Sequence, residues 1–286
     1  MKKVIIAGLA FLGSCKSTET INQFAKSAGY GTTEISRSTL NFNNICRLYD
    51  PTALAKYTDT SVYGKSAQKP VDCKEYETAD SITSLISQTL IDYFSLFQAV
   101  SDKKLLAYNS RDLINSLASM QPQVYSSLAL SEEKISAVKG ILNTILNEPL
   151  KWYRRNKLVS TMQQNDSALG RIIHAYSFIL DSSLSGQINQ ATQNYISFVY
   201  APLYEWSNTP VEKALINQQY EAFLFSMNNE VKKIHKALQI LALIRKDHYL
   251  LAFGKPPAGF AYTTDEISQD IVLINKMTTE LIQLKK

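Results

Sequence analysis

Glycine and proline are scarce in this chain, at ten and eight of 286 residues. A sandwich or barrel of many short strands needs turn residues at frequent intervals, so their scarcity argues against both. Histidine is rarer still, with only His174, His235 and His248. The residues three before them are Arg171, Lys232 and Arg245, which removes the Glu-x-x-His pairs of di-iron bundles and the His-Glu-x-x-His of zincins. Three cysteines occur without a Cys-x-x-Cys, so neither a zinc ribbon nor a thioredoxin-type site is supported. No Gly-x-Ser-x-Gly elbow is present. Gly254 and Gly259 have the spacing of P-loop glycines, but Phe260 stands where the lysine belongs, so that stretch reads as a helix–helix connection. No metal or cofactor is expected. Neither sign of charge dominates: the formal charge is +5, with no strongly basic stripe that would speak for nucleic acid. There is no fixed-period repeat of the tetratricopeptide kind.

The chain does have a distinctive start. Lys2 and Lys3 precede an apolar run, Val4 to Leu12, broken only by Gly8, and Leu12-Gly13-Ser14-Cys15 closes it with small residues. Charge, apolar stretch and small-residue end are the parts of a secretory signal. The run falls short of the roughly 20 apolar residues that span a bilayer. The Leu-Gly-Ser-Cys ending resembles a bacterial lipobox. That resemblance implies removal of residues 1–14, a lipid on Cys15 and anchorage in the cell envelope. Lys16 does not resemble the acidic inner-membrane retention signal, so the outer membrane is expected, on a face the sequence leaves open. The resemblance covers only these residues. Removing them takes away two lysines and no acid, leaving a formal charge of +3.

Cys46 and Cys73 remain. In an oxidising compartment two leftover thiols can pair, the alternative being two free thiols; a bridge here would close a loop of 28 residues and stabilise the fold by about 3 kcal/mol on a chain-entropy argument.

Composition divides the rest. Residues 15–38 read as a tether from the membrane. Residues 39–78, rich in Ser, Thr, Asn and Tyr and punctuated by Asp50-Pro51, Gly64 and Pro70, read as an irregular cap with a short helix near Leu54. From residue 79 the pattern is helical. Ile82, Ile86, Tyr93 and Phe97 share one face, Ser131 caps a helix with the stripe Ile135 to Leu146, and another starts near Asn165 or Asp166. That one meets a possible break at Ser185-Gly186 and a kink at Pro202. Thr209-Pro210-Val211-Glu212 combines a capping box with proline at the first helical position. Tyr220, Leu224, Met227, Val231, Ile234, Leu238 and Leu241 then form an a/d seam in a helix running to Phe253, about 65 Å long. Ile267, Ile271, Ile274, Met277 and Leu281 stripe the last helix. The expected fold is an all-α, elongated antiparallel bundle of four to six helices over 79–286, behind the irregular section.

One cluster stands out. Lys151, Trp152, Tyr153, Arg154, Arg155 and Lys157 gather cations and aromatics just after Pro149, with no acid among them. It reads either as a contact patch for lipid headgroups, anionic glycans or an acidic protein, or as a solvated face with Trp152 and Tyr153 turned inward. A second basic stretch runs from Lys232 to Lys246. Tyr200, Tyr204 and Trp206 line a groove or join the core. The first functional expectation is a lipid-anchored envelope protein acting as a helical interaction or scaffold module with a protein partner. The alternatives are a lipoprotein with a ligand or glycan pocket between helices, and an enzyme without a linear motif.

Overall fold

The structure, a computed structural model, describes residues 12–38, 41–48, 73–101, 155–254 and 264–284. Among them the fold is all-α with no strand. The helices are α1 (Leu12–Ser38), α2 (Phe42–Leu48), α3 (Lys74–Ser101), α4 (Arg155–Phe178), α5 (Ser185–Tyr195), α6 (Ala201–Trp206), α7 (Pro210–Phe253) and α8 (Thr264–Gln283). Two π-helical turns, Ile179–Leu184 and Ile196–Tyr200, join α4 to α5 and α5 to α6. The expected helices near Leu54 and after Ser131 lie outside the described residues.

Residues 15–38 are not a tether. They lie within α1, whose Ile21, Phe24, Ala25, Ala28 and Ile35 are buried. Their spacing of three and four puts them on one helical face, which the polar composition of the segment had masked. The cap is also more regular than expected: α2 occupies its start and α3 begins at Lys74. The helix expected from Asn165 or Asp166 starts earlier, at Arg155.

The chain divides into two compact units. Unit 1 comprises residues 1–38, 84–177 and 236–286, and so takes α1, most of α3, α4, the C-terminal part of α7 from Lys236, and α8. Phe24 meets Phe94 edge-on at 5.7 Å, and Ser87 bonds Ser36, so α1 and α3 run antiparallel. Gln163 donates to the Ala252 carbonyl while Gly170 touches Arg245, so α4 and α7 do too. Lys236 pairs with Glu280 and Lys246 with Asp270, giving α7 and α8 the same relation. At Gly31, α1 comes close to α7 and α8: a Cβ there would stand 3.0 Å from Ile240 and 3.4 Å from Thr278.

Unit 2 comprises residues 39–83 and 178–235. Cys46 and Cys73 are bonded, with Cα atoms 5.8 Å apart, which clamps α2 to the residue preceding α3. Asp80 accepts the backbone N–H groups of Phe42 at 2.7 Å and Asn43 at 3.1 Å, capping α2 from a distant helix. Tyr195 stacks on Phe223 at 3.9 Å and Tyr200 on Tyr220 at 4.1 Å, while Lys213 lies over Tyr204. Tyr195 and Tyr200 are five apart, one turn of the intervening π segment, and Tyr200 and Tyr204 four apart, one α-turn. The π turn therefore brings three tyrosines into one row. It also precedes Pro202, which has no N–H to donate and whose ring would crowd a regular α-turn. Ser185-Gly186 does not break the helix; α5 begins there straight from the first π turn.

Candidate functional site: a polar turn inside the long helix

The capping box at the start of α7 forms as its sequence predicts. Glu212 accepts from the Thr209 backbone N–H at 3.0 Å, and the Thr209 hydroxyl accepts from the Glu212 N–H at 3.2 Å. Along the expected seam Met227, Ile234 and Leu241 are buried, Tyr220, Leu224 and Leu238 half-buried, and Val231 exposed.

Within α7, Arg245, Lys246, Asp247 and His248 follow one another between buried Ile244 and Leu250. Successive helical residues step by about 100°, so four in a row point in four directions. Arg245 and His248, three apart, both reach Asp166 of α4, while Lys246 and Asp247 both meet Asp270 of α8. Arg245 grips Asp166 of α4 with two guanidinium nitrogens, the Nη2–Oδ2 bond being 2.8 Å. Lys246 pairs with Asp270 of α8. His248 Nδ1 lies 3.0 Å from Asp166 Oδ1, and its Nε2 lies 2.7 Å from the Tyr93 hydroxyl of α3. Asp247 is fully buried, and no donor reaches either carboxylate oxygen. Gly170 leaves the room that Arg245 needs, since a Cβ there would come within 2.8 Å of its Nε.

The protonation states follow. Burial pushes the His248 pKa down, against the opposing pull of Asp166, so the ring is neutral at neutral pH. A neutral ring beside a carboxylate donates from Nδ1, leaving Nε2 to accept the Tyr93 O–H. Burial holds the Tyr93 hydroxyl well above its ordinary value, and the Asp166 charge adds to this. Burial alone would raise Asp166, but the hydrogen bonds from His248 and Arg245 and the Arg245 charge outweigh it and lower it to about 2. Asp247 goes the other way. Burial and the neighbouring Asp270 lift it to about 9, only partly opposed by Lys246. It is therefore protonated at neutral pH, and a neutral carboxyl beside Asp270 can stay buried where a carboxylate without a donor could not.

Tyr93, His248 and Asp166 have the order of an acid–base relay. Tyr93 is 1% and His248 0% exposed. The gap beside them is lined by Ile21, Phe24, Phe94, Phe97 and Met162 and has no room for a water molecule. In this arrangement the relay fixes packing rather than meeting a substrate. A slip of any neighbouring helix would strand a buried charge, which costs several kcal/mol.

The residues singled out from sequence are distributed differently. Cys15 stands in the first turn of α1. Lys151, Trp152, Tyr153 and Arg154 lie outside the described residues; Arg155 and Lys157 stand in the first turn of α4, with their side chains outside the description. The second basic stretch is largely neutralised, since Lys233 pairs with Glu230, Lys236 with Glu280, Arg245 with Asp166 and Lys246 with Asp270. Among the described residues no three His, Cys, Asp or Glu side chains are grouped to hold a metal.

Unit 2 has a second feature. Tyr220, Phe223 and Met227 turn one face of α7 inward. On the opposite face Val211, Leu215 and Phe225 are 70%, 55% and 67% exposed, with Ala222 also exposed between them. Gln218 and Asn229 complete this stripe, which carries no charge. No protein-family model, curated protein or solved structure matches the chain.

Proposed function

We propose that the chain is a lipid-anchored protein of the bacterial cell envelope that acts as a helical interaction module for a protein partner. The observation that carries the interaction reading is the uncharged, exposed stripe Val211, Leu215, Ala222 and Phe225 on α7. Large apolar side chains exposed along one uncharged helix face favour protein contact. The envelope reading rests on Leu12-Gly13-Ser14-Cys15, and the Cys46–Cys73 bond is in keeping with an oxidising compartment. No described helix is long and apolar enough to cross a membrane, so the lipid is the proposed means of attachment.

Two measurements test this. Cys15→Ser should leave the protein uncleaved or soluble and out of the detergent phase; full membrane retention at unchanged mobility sinks the anchor. Cross-linking in intact envelopes should trap a partner through the wild-type stripe and not through Leu215→Glu/Phe225→Glu. Equal trapping by both, with the variant still helical, sinks the interaction site.

A further inference from the structure

Val211, Leu215, Gln218, Ala222, Phe225 and Asn229 follow one another along α7 at alternating intervals of four and three. That spacing holds them in one line on the helix and matches the seam of a second helix crossing at about 20°. A strand, whose side chains repeat every two residues, has no such period. The stripe is about 27 Å long, which a helix of about 18 residues covers. Ala222 is its low point. Gln218, Glu221, Ala222 and Phe225 stand at i, i+3, i+4 and i+7, the four corners of a hole that receives a large apolar side chain from a facing helix.

The charges beside the stripe have one sign. Glu221 precedes Ala222 and lies on one flank. Glu212 follows Val211 and lies on the other, where it accepts the Asn208 and Thr209 N–H groups. From Phe178 to Asn229 the acids are Asp181, Glu205, Glu212 and Glu221, all exposed. The single base in that span, Lys213, is turned to the opposite face, over the Tyr204 ring. The next exposed base is Lys232, where the stripe ends. We infer that the stripe is the docking face for an amphipathic helix of the partner, one whose apolar seam is flanked by lysine or arginine. The inference rests on the interaction reading and adds the partner's shape and charge. A second copy of the chain fits less well. With two stripes set antiparallel, Leu215 against Phe225, Glu221 comes beside its own counterpart; set parallel, it still meets no base. Cations flanking the partner's seam answer both acids, and such complementarity selects the partner and speeds its encounter.

The probe is a three-heptad synthetic helix with leucine at a and d and lysine at e and g, used below the concentration at which it self-associates. One control keeps the leucine seam and carries glutamate at e and g; another has the lysine peptide's composition with the seam scrambled. Fluorescence anisotropy reads binding to purified full-length Cys15→Ala, which cannot be acylated. The lysine peptide should bind on the order of tenfold tighter than either control and weaken as salt rises. Leu215→Ala/Phe225→Ala should lower its affinity on the order of tenfold, and Glu221→Lys should turn the preference toward the glutamate peptide. Equal binding of the scrambled peptide, no preference for lysine over glutamate, or a preference unmoved by Glu221→Lys overturns the inference. Should Glu221→Lys lose its helical circular dichroism, Glu221→Gln decides instead, and must lower the preference several-fold. A dimer seen by sedimentation without peptide, and lost in Leu215→Ala/Phe225→Ala, makes a second copy the occupant and overturns it too. If the lysine preference is absent while the wild-type stripe still traps a partner in envelopes, the partner's chemistry falls and the interaction reading stands. Loss of that trapping specificity is the failure of the reading itself.

Discussion

Tyr93 and His248 are 155 positions apart in sequence and 2.7 Å apart in the core, hydroxyl to Nε2. Their bond continues through His248 Nδ1 to Asp166 and on to Arg245, so α3, α4 and α7 meet at one polar chain. Apolar side chains alone set packing density but tolerate sliding. A chain of directional bonds has one register in which every member is satisfied.

Tyr93→Phe should destabilise the protein by about 1–3 kcal/mol, because it strands the His248 Nε2 in apolar surroundings. Removing the histidine as well, in Tyr93→Phe/His248→Leu, should cost less than the sum of the single losses, since both ends of the bond vanish together. Urea melts of the four proteins give the comparison. Strict additivity would mean that the hydroxyl and the ring contribute independently.

Asp166 sets the acid limit. Its folded pKa, about 2, lies below the unfolded value near 3.8, so its contribution is present above the unfolded value and is lost as pH falls through the folded one. Stability should therefore drop by no more than about 2 kcal/mol between pH 4 and pH 2 from this group. Asp166→Asn should be less stable at neutral pH and lack that part of the acid-induced fall. Acid melts with the same slope in both proteins would remove Asp166 from the account.

The helical class and the stripes of α3, α7 and α8 were legible because apolar spacing and the Thr209–Glu212 capping box are local signals. α1 was not. Its buried residues are separated by Thr, Ser, Asn and Gly, so a compositional view saw a tether where the three-and-four spacing of Ile21, Phe24, Ala25 and Ala28 marks a helix. The polar turn was visible only as an interruption of an apolar run. Four consecutive ionisable residues cannot all face water on a helix flanked by core positions, and that signal was available. Their partners were not, since Tyr93, Asp166 and Asp270 come from three other helices. The Cys46–Cys73 pairing was legible by elimination, whereas the second π turn, which aligns Tyr195 with Tyr200, has no sequence signature beyond their spacing of five.

Two glycines provide an internal control for the polar turn. A Cβ at Gly170 would sit 2.8 Å from Arg245 Nε, while one at Gly186 would meet nothing within 4 Å. Gly170→Ala should push the guanidinium off Asp166 and cost about 1–3 kcal/mol. Gly186→Ala, in a helix with open space around it, should be neutral or stabilise by up to about 1 kcal/mol. Thermal melts of both variants check this. If Gly170→Ala is as benign as Gly186→Ala, Arg245 has another resting place and the glycine is not what positions it.

The alkaline limit belongs to Asp247, and here the sign is the reverse of Asp166. Its folded pKa, about 9, stands above the unfolded value near 3.8. Its contribution is therefore complete below the unfolded value, declines as pH rises, and is lost as pH passes through the folded one. The groups that act on it are Asp270 from α8, which raises it further, and Lys246 from its own helix, which opposes. Glu19 and Lys26 of α1 are exposed, and Arg245 and His248 are bound to Asp166 of α4. Once Asp247 ionises, two carboxylates share one lysine at the seam between α7 and α8, and one of them is buried. Asp247→Asn keeps the shape, supplies a permanent amide donor to Asp270 and does not titrate. Across the window between the two pKa values the wild type should lose stability relative to this variant by up to about 1.4 kcal/mol per pH unit, the linkage value for one proton. Denaturant melts of both proteins from pH 5 to pH 10 measure that difference. Parallel curves would mean that Asp247 ionises like an ordinary aspartate and that the seam is held by Lys246–Asp270 and Lys236–Glu280 alone.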